Sequence, residues 1–498
     1  MLEGCPVLGW AASGGMALTG QADGAPVASP APAFGLLSAV VAELASATRA
    51  TGVEVRADPG ELVAGRAALS GFSRRGRVSA GGSARLLRAA DGWCAVNLSR
   101  ADDVEAVPAI IGALGLAGGV GVGTGADGVW GALEAAALRT RAEVLAGTAQ
   151  LLGVPAGALA SARRAAGLSG PAQSAGWPPG RASRIAAPSA AARLAGAVVV
   201  DLSSMWAGPL CARLLGLAGA DVIKVETPGR PDGARAGERR FFDWLHGGHR
   251  SVVLNFRSES GRRALGALIA AADVVIEASR PRALAQLGLA PEMIPHREGQ
   301  VWLSITGYGR GDRAASELVA FGDDAAVAGG LVGWTGAGLG DDGDWNGGGD
   351  RNGDGDRNGG EPVFCADAIA DPLTGLCGAL AVARSVAGGG GELIDLSMRD
   401  VAAVFAAAAV DHGPHSVRLV GAGAAGGADG AGGAGGAGGA DGADGADGAD
   451  GAGAIVTCAA LGLEQAVLPP RSPVVAGAAA EIGADTGAVL AALGTGAP

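Results

Sequence analysis

Two adjacent carboxylates, Asp323 and Asp324, follow Phe321-Gly322 and stand before an apolar, glycine-containing stretch, Ala325–Leu331. A carboxylate beside glycine-rich backbone can act as a nucleophile toward an acyl carbon, with backbone N–H groups taking up the oxyanion charge. The plainer reading of the same residues is a helix N-terminus, where Asp complements unpaired N–H groups and the helix dipole. Other chemistries have thinner support. There is no G-x-S-x-G elbow and no H-E-x-x-H, and the five histidines (His246, His249, His296, His412, His415) leave a His-based triad few candidates. His246 and His249 flank two glycines before a strand, which suits a phosphate-facing loop or an ordinary solvated one. Gly123–Gly128 fits G-x-G-x-x-G but follows glycine-rich sequence where a dinucleotide fingerprint needs a strand, so it reads as a loop. Asp350–Glu361 has the oxygen spacing of a calcium loop without the flanking amphipathic helices, and in a tract this rich in Asp, Asn and Gly it reads as coincidence.

Composition limits what such residues can serve. Of 498 residues, 49% are apolar and 17% charged, which excludes a disordered polyelectrolyte and allows two or three domains. A net charge of −12 argues against general nucleic-acid binding, though not against a local basic pocket for a phosphorylated ligand. Six dispersed cysteines, with no CxxC and no Cys/His run, indicate neither a zinc site nor a disulfide framework. A reducing, cytoplasmic setting is expected, with no membrane partner: Glu3 and the absence of basic residues do not read as a leader, and the glycine-dense run 108–126 does not read as a span.

The elements that must position the chemistry are clearest between 194 and 336. Ala197–Asp201, Asp221–Glu226, Ser251–Asn255, Asp273–Glu277 and Val301–Ile305 read as strands, and Ala207–Ala218, Glu259–Ala271 and Arg282–Gly288 as helices. Apolar strands alternating with helices predict an α/β, Rossmann-like large domain around a parallel sheet, with ligands beyond the carboxyl ends of the strands, near 201–209, 226–229 and 277–281. A Pro/Ser/Ala/Gly-rich linker is expected over 166–193. Low-complexity loops, too poor in apolar surface to order themselves, are expected over 337–360 and 421–453. The large domain continues through 361–420 and 454–498. Ser13–Gly20 resembles Ala328–Gly336, a weak internal repeat.

From Asp201 to Ser397 the residues resemble class III CoA-transferases, the family of formyl-CoA transferase, carnitine CoA-transferase and their α-methylacyl-CoA racemase relatives. The ordered matches run through Asp201–Pro209, Gly219–Gly229, Gly248–Val252, Asp273–Glu277, Arg280-Pro281, Ser304–Gly309, Ala370–Gly375 and Glu392–Ser397. Asp91–Asn97 resembles the start of the family's smaller α+β domain, in an unexpected place. Residues 1–165 thus look like a partial copy joined to a copy lacking its own small domain.

The resemblance implies transfer of CoA between an acyl-CoA and a small free carboxylic acid through an aspartyl covalent intermediate. It implies no tightly bound cofactor, coenzyme A arriving as acyl-CoA substrate, and an interlocked homodimer; the rearranged order could instead let one chain supply what two normally do. It carries Ala207, Gly208, Lys224, Glu226, His249, Arg250 and Arg280 to CoA contacts and Asp323, or else Asp324, to the nucleophile, with no metal. Lys224 and Glu226 fit a structural ion pair equally well. Counting the family's spacing back from Gly330-Leu331 falls on Gly322, and Asp323 is one residue displaced. Phe321 stands where the racemase has a catalytic histidine, His249 where a lysine is usual, and Ala278-Ser279 where Asn and Phe contact CoA, with Arg280 and Arg282 left for phosphates. The rival reading is a catalytically silent CoA-binding paralogue or a structural partner of an active transferase.

Overall fold

The computed structural model describes residues 5–116, 121, 123, 125–160, 179–336, 344–345, 360–408, 415–420 and 453–494. Three N-terminal helices come first: α1 (Pro6–Ala12), α2 (Pro32–Thr51) and α3 (Pro59–Ser70). Each carries Pro in its first turn, where a missing N–H leaves no bond unmade. Helix α2 has the length and mean hydropathy (1.3) of a membrane span. Its buried residues Leu37, Val40, Val41, Leu44, Thr48 and Thr51 instead form one stripe at helical spacing, the pattern of a helix laid on a core.

Next comes a small unit. Strands β1 (Ala84–Ala89), β2 (Gly92–Asn97) and β3 (Ala156–Ala158) form an antiparallel sheet in that order. Helices α4 (Val107–Ala113), α5 (Gly125–Ala137) and α6 (Ala142–Leu151) cover it. Val96, Ile110, Leu133 and Leu145 lie in a core made only of residues from this unit. Among the described residues no strand leads into α5, so Gly123–Gly128 lacks the context of a dinucleotide loop.

The large unit carries β4 (Arg181–Arg184), β5 (Val198–Asp201), α7 (Ala207–Leu217), β6 (Asp221–Glu226), α8 (Arg239–His246), β7 (Arg250–Val253), α9 (Glu259–Ala271), β8 (Val274–Glu277), β9 (Val301–Thr306), α10 (Gly322–Ala328), α11 (Ala370–Ala387), β10 (Glu392–Ser397) and α12 (Met398–Ala406). Its seven strands run in the order β4-β10-β9-β8-β5-β6-β7 and are parallel except for the antiparallel edge strand β4. Val199, Val200, Val274, Val275 and Ile276 are wholly buried, as a sheet covered on both faces requires. All five strands and three helices expected between 194 and 336 are present, within a few residues. Strand β4 lies inside the stretch expected to be linker. Its Arg-Ala-Ser-Arg is exposed throughout, so hydropathy carries no trace of it. Helix α8, eight residues long, was also not expected.

Helices α1 to α3 share a single core with α7, α8 and α11. Helix α2 packs along α11, and α3 touches both α8 and α11. Residues 5–69 therefore complete the large unit's helical layer, while 84–158 carry a core of their own and pack on α10, where Ala84, Leu86, Trp93 and Ala95 meet Val327, Val332 and Phe364. The chain closes with an antiparallel sheet, β11 (His415–Val420), β12 (Gly453–Cys458) and β13 (Leu463–Ala466), joined at its edge by Asp344–Trp345. Helix α13 (Thr486–Ala492) follows and lies near β7. Most of 337–360 and 421–453, including the calcium-like spacing up to residue 359, falls outside the described residues.

Candidate active site

At the carboxyl edge of the large sheet, β5 ends in Asp201 and β6 carries Lys224 and Glu226. The Lys224 ammonium lies 2.8 Å from Asp232 and 3.5 Å from Asp201, and it also donates to the Ser203 carbonyl. Burial pulls that ammonium down, but Asp201 and Asp232 outweigh it and hold its pKa above the ordinary lysine value. Glu226 accepts from the Asp232 N–H at 2.9 Å and from Arg235 at 2.6 Å. Lys224, Glu226, Asp201 and Asp232 are all at least 96% buried. Lys224 and Glu226 are thus each held in a buried ion pair, though not with one another: Lys224 with Asp201 and Asp232, Glu226 with Arg235.

The other residues expected at a CoA site divide in two. Ala207 and Gly208 open α7 but are buried, with the Ser203 side chain packed where a Gly208 side chain would go. Arg250 begins β7, opposite the amino half of β6, and its Nε donates to Asp221 at 3.0 Å. His249 precedes it and lies over Gly216; desolvation, then Lys224 and Arg213, take its imidazole down to about 3, so it is neutral. His249 thus lies within electrostatic reach of Lys224, and Arg250, paired with Ile223 of β6, is engaged by Asp221. Arg280 follows β8 at the carboxyl edge, within electrostatic reach of Arg282, Glu317, Arg100 and Arg230. Arg282 pairs with Glu317 at 2.8 Å and Arg100 with Asp103 at 2.5 Å, so four guanidiniums face two carboxylates here, a locally basic mouth on an acidic protein. Arg100 belongs to the small unit, and its guanidinium sits 5.7 Å from the Phe321 ring, at the head of α10.

The two acids on α10 have different surroundings. Asp324, third in the helix, accepts the Phe321 N–H at 3.0 Å and an Asn97 amide N–H at 3.4 Å. That is a capping role, tied to the small unit, and the residue is fully buried. Asp323 keeps 7% exposure and accepts the Ala368 N–H at 3.2 Å. It shares a buried cluster with Asp367, Asp371 and Arg66, whose guanidinium is 3.3 Å from Asp367. Burial and then Asp367 raise the Asp323 carboxyl to about 7, against the pull of Arg66. Burial likewise raises Asp371 to about 7. Arg66 is held by the faces of Trp206 (5.2 Å), Phe72 (5.5 Å) and Phe241 (5.7 Å).

The loop that meets Asp323 is strained. Ala366 and Ala368, on either side of Asp367, adopt φ of 52° and 42°. Left-handed alanine costs about 1–2 kcal/mol, so the packing around Arg66 must hold the loop in place. The third such residue among those described is Met205, in the loop after β5.

Sequence reasoning missed Arg66, Asp367 and Arg100. Arg66 and Asp367 are 301 residues apart, and no local pattern marks either. Asp371 lies in the family-like stretch Ala370–Gly375, which assigns it no role.

Gly322 stands where the family's nucleophile falls by spacing. A Cβ there would strike the Ala368 carbonyl and come within 2.5 Å of the Asp371 carboxylate. Gly322→Asp is therefore expected to lower stability by about 1–3 kcal/mol, the range for overpacking, and to add no activity, as read from the denaturant midpoint and a turnover assay. Arg66→Leu removes the cation facing three acids. The midpoint of any Asp323-dependent pH profile should then move above 7, since losing a cation disfavours the carboxylate.

Residues 194–429 match CoA-transferase family III. A formyl-CoA:oxalate CoA-transferase of Afipia carboxidovorans is 35% identical over 166 residues, covering 30% of this chain and 39% of that protein. An acyl-CoA transferase of Fusarium pseudograminearum is 33% identical over 133 residues, covering 24% of this chain and 29% of that protein. A crystal structure of a CaiB/BaiF family protein from Brucella suis is 28% identical, covers 44% of this chain and 55% of that one, and superposes with a TM-score of 0.34. The chain spans about a third of the length of these curated relatives. The likeness to class III CoA-transferases read between Asp201 and Ser397 is thus a family match over that segment.

Proposed function

We propose that this chain, with its family III segment at 194–429, transfers CoA between an acyl-CoA and a free carboxylic acid, using Asp323 as nucleophile. The observation that carries the reading is the Asp323 carboxylate, nearly buried and raised to about 7, in the first turn of a helix whose preceding residue, Phe321, lies against the Arg100 guanidinium. An Asp323 oxygen attacks the thioester carbonyl, the C–S bond breaks, and CoA thiolate leaves a mixed anhydride. The thiolate attacks the aspartyl carbonyl, releasing the first acid and leaving an aspartyl–CoA thioester. The acceptor carboxylate then attacks that thioester, freeing CoA thiolate and forming a second anhydride. Thiolate attack on the acceptor's acyl carbon gives the new acyl-CoA and restores Asp323. Each intermediate hydrolyses readily, so a closed, water-poor site suits the sequence of steps. Arg280, Arg282, Arg230 and Arg100 supply charge for the CoA phosphates. One chain that carries both units could do this alone or as a homodimer, in a reducing compartment.

The test is a mass-spectrometric exchange assay on purified protein. It starts with formyl-CoA and oxalate and extends to a panel of acyl-CoAs with pooled acids. New acyl-CoA species that need Asp323 would support the reading. A second reading, CoA binding without exchange, is favoured by the steric filling of the Gly322 position by Asp371. CoA-dependent stabilisation with no exchange would select it.

A further inference from the structure

Cys5, His415 and Cys458 appear unrelated in the sequence, which gives no Cys/His run, yet the fold brings them together. His415 and Cys458 are directly opposed on the antiparallel strands β11 and β12, so their side chains project side by side. Cys5 immediately precedes α1, which lies against β12 and β13 and takes the Leu468 N–H onto the Ala11 carbonyl at 2.9 Å. The Cys5 sulfur is 3.0 Å from His415 Nε2, and the three donor atoms lie within 4.8 Å of one another. Exposure is 3% at Cys5, 0% at His415 and 1% at Cys458.

We propose that Cys5, His415 and Cys458 bind one Zn2+ ion that pins the C-terminal hairpin to α1. Two sulfurs and one imidazole nitrogen form a soft donor set of the kind zinc takes. Ligand bonds of about 2.3 Å to sulfur and about 2.0 Å to nitrogen place tetrahedral donors about 3.5–3.8 Å apart, so the observed spacing needs only small side-chain shifts to close on an ion. Charge selects among metals. Two thiolates neutralise a divalent ion, whereas a monovalent one would leave a net negative charge in a core that holds Cys5, Leu8, Ala11 and Val456. The ligands join the beginning of the chain to a hairpin whose two strands are 32 residues apart in sequence, between Val420 and Gly453, so binding energy would act directly as folding energy.

The experiment uses the full chain, stripped with chelator under reducing conditions and titrated with Zn2+ or Co2+. Expected are one metal per chain, thiolate-to-cobalt charge-transfer absorption, and a melting temperature raised by several degrees with zinc. Cys5→Ser and Cys458→Ser should each lose the metal and the thermal shift, while Cys94→Ala, in the small unit's separate core, keeps both. Should a serine variant misfold, the wild-type cobalt spectrum still decides. Failure of the reduced wild type to take up metal, cobalt binding without thiolate bands, or full metal retention in both serine variants would each overturn the proposal.

Discussion

Asp323→Asn should abolish CoA exchange, by at least about a thousand-fold, the scale of loss when a covalent nucleophile is removed. The change is isosteric, and the amide oxygen can still accept from Ala368, so folding should survive. Asp324→Asn is the matched control. Its amide oxygen can keep the Phe321 N–H bond, and turnover should stay within about tenfold, with less than about 1 kcal/mol lost from the cap. Trapping should show a CoA thioester on the peptide carrying Asp323 in wild type and none in Asp323→Asn. The pH dependence carries a sign. The attacking group is the carboxylate, and burial holds its pKa near 7, so kcat/KM should rise with pH through about 7 and not through the ordinary carboxylate range near 4. Asp371, also near 7, titrates in the same field, so the profile belongs to the pair. A flat profile, or exchange that survives in Asp323→Asn and dies in Asp324→Asn, would move the nucleophile to the capping residue.

What the sequence revealed follows from the range of the interactions involved. Strands such as Val274–Glu277 and Val301–Thr306 are buried on both faces, so their apolar runs alone locate them. Lys224 and Glu226, two residues apart on β6, suggested a pair with each other, but each takes other partners, Asp201 and Asp232 for Lys224 and Arg235 for Glu226, which that spacing does not mark. Strand β4 was not legible, because an exposed edge needs no apolar residue and pairs through backbone alone. The different surroundings of Asp323 and Asp324 were equally hidden. They depend on Asn97 from the small unit and on Ala368 from a strained loop, neither adjacent in sequence. Helix-start chemistry and nucleophile chemistry looked like alternatives for one Asp-Asp pair; the fold gives the cap to Asp324 and places Asp323 in the cluster around Arg66. Arg66 illustrates the limit: its partners Asp367, Trp206 and Phe241 lie on three other segments, and only packing joins them.

Lys224→Met should cost about 3–5 kcal/mol, the penalty for leaving buried carboxylates without their cation. Methionine fills the volume, so the loss isolates charge from packing. Asp201 and Asp232, 0% and 2% exposed, would be left facing each other. The effect should reach the active site, because the same carboxylates hold the loop after β5. Asp232 accepts the Met205 N–H at 3.0 Å, and Trp206, the next residue, stacks on Arg66. Exchange should therefore fall together with the unfolding midpoint. The pH window follows from the pKa directions. Lys224 is raised above the lysine value, so its contribution is full below about 10.4 and fades as pH climbs through its folded pKa. Asp232 is held below the usual carboxylate value because Lys224 and the Met205 and Ala234 N–H groups outweigh its burial. Its contribution is full above about 3.9 and fades as pH falls through its folded pKa. Removing both partners, as Lys224→Met with Asp232→Asn, should recover part of the loss, since no unpaired charge then remains at Asp232. If Lys224→Met instead leaves the midpoint unchanged and raises only KM for the acyl-CoA, Lys224 is a ligand contact, and the carboxyl edge of β6 opens to substrate.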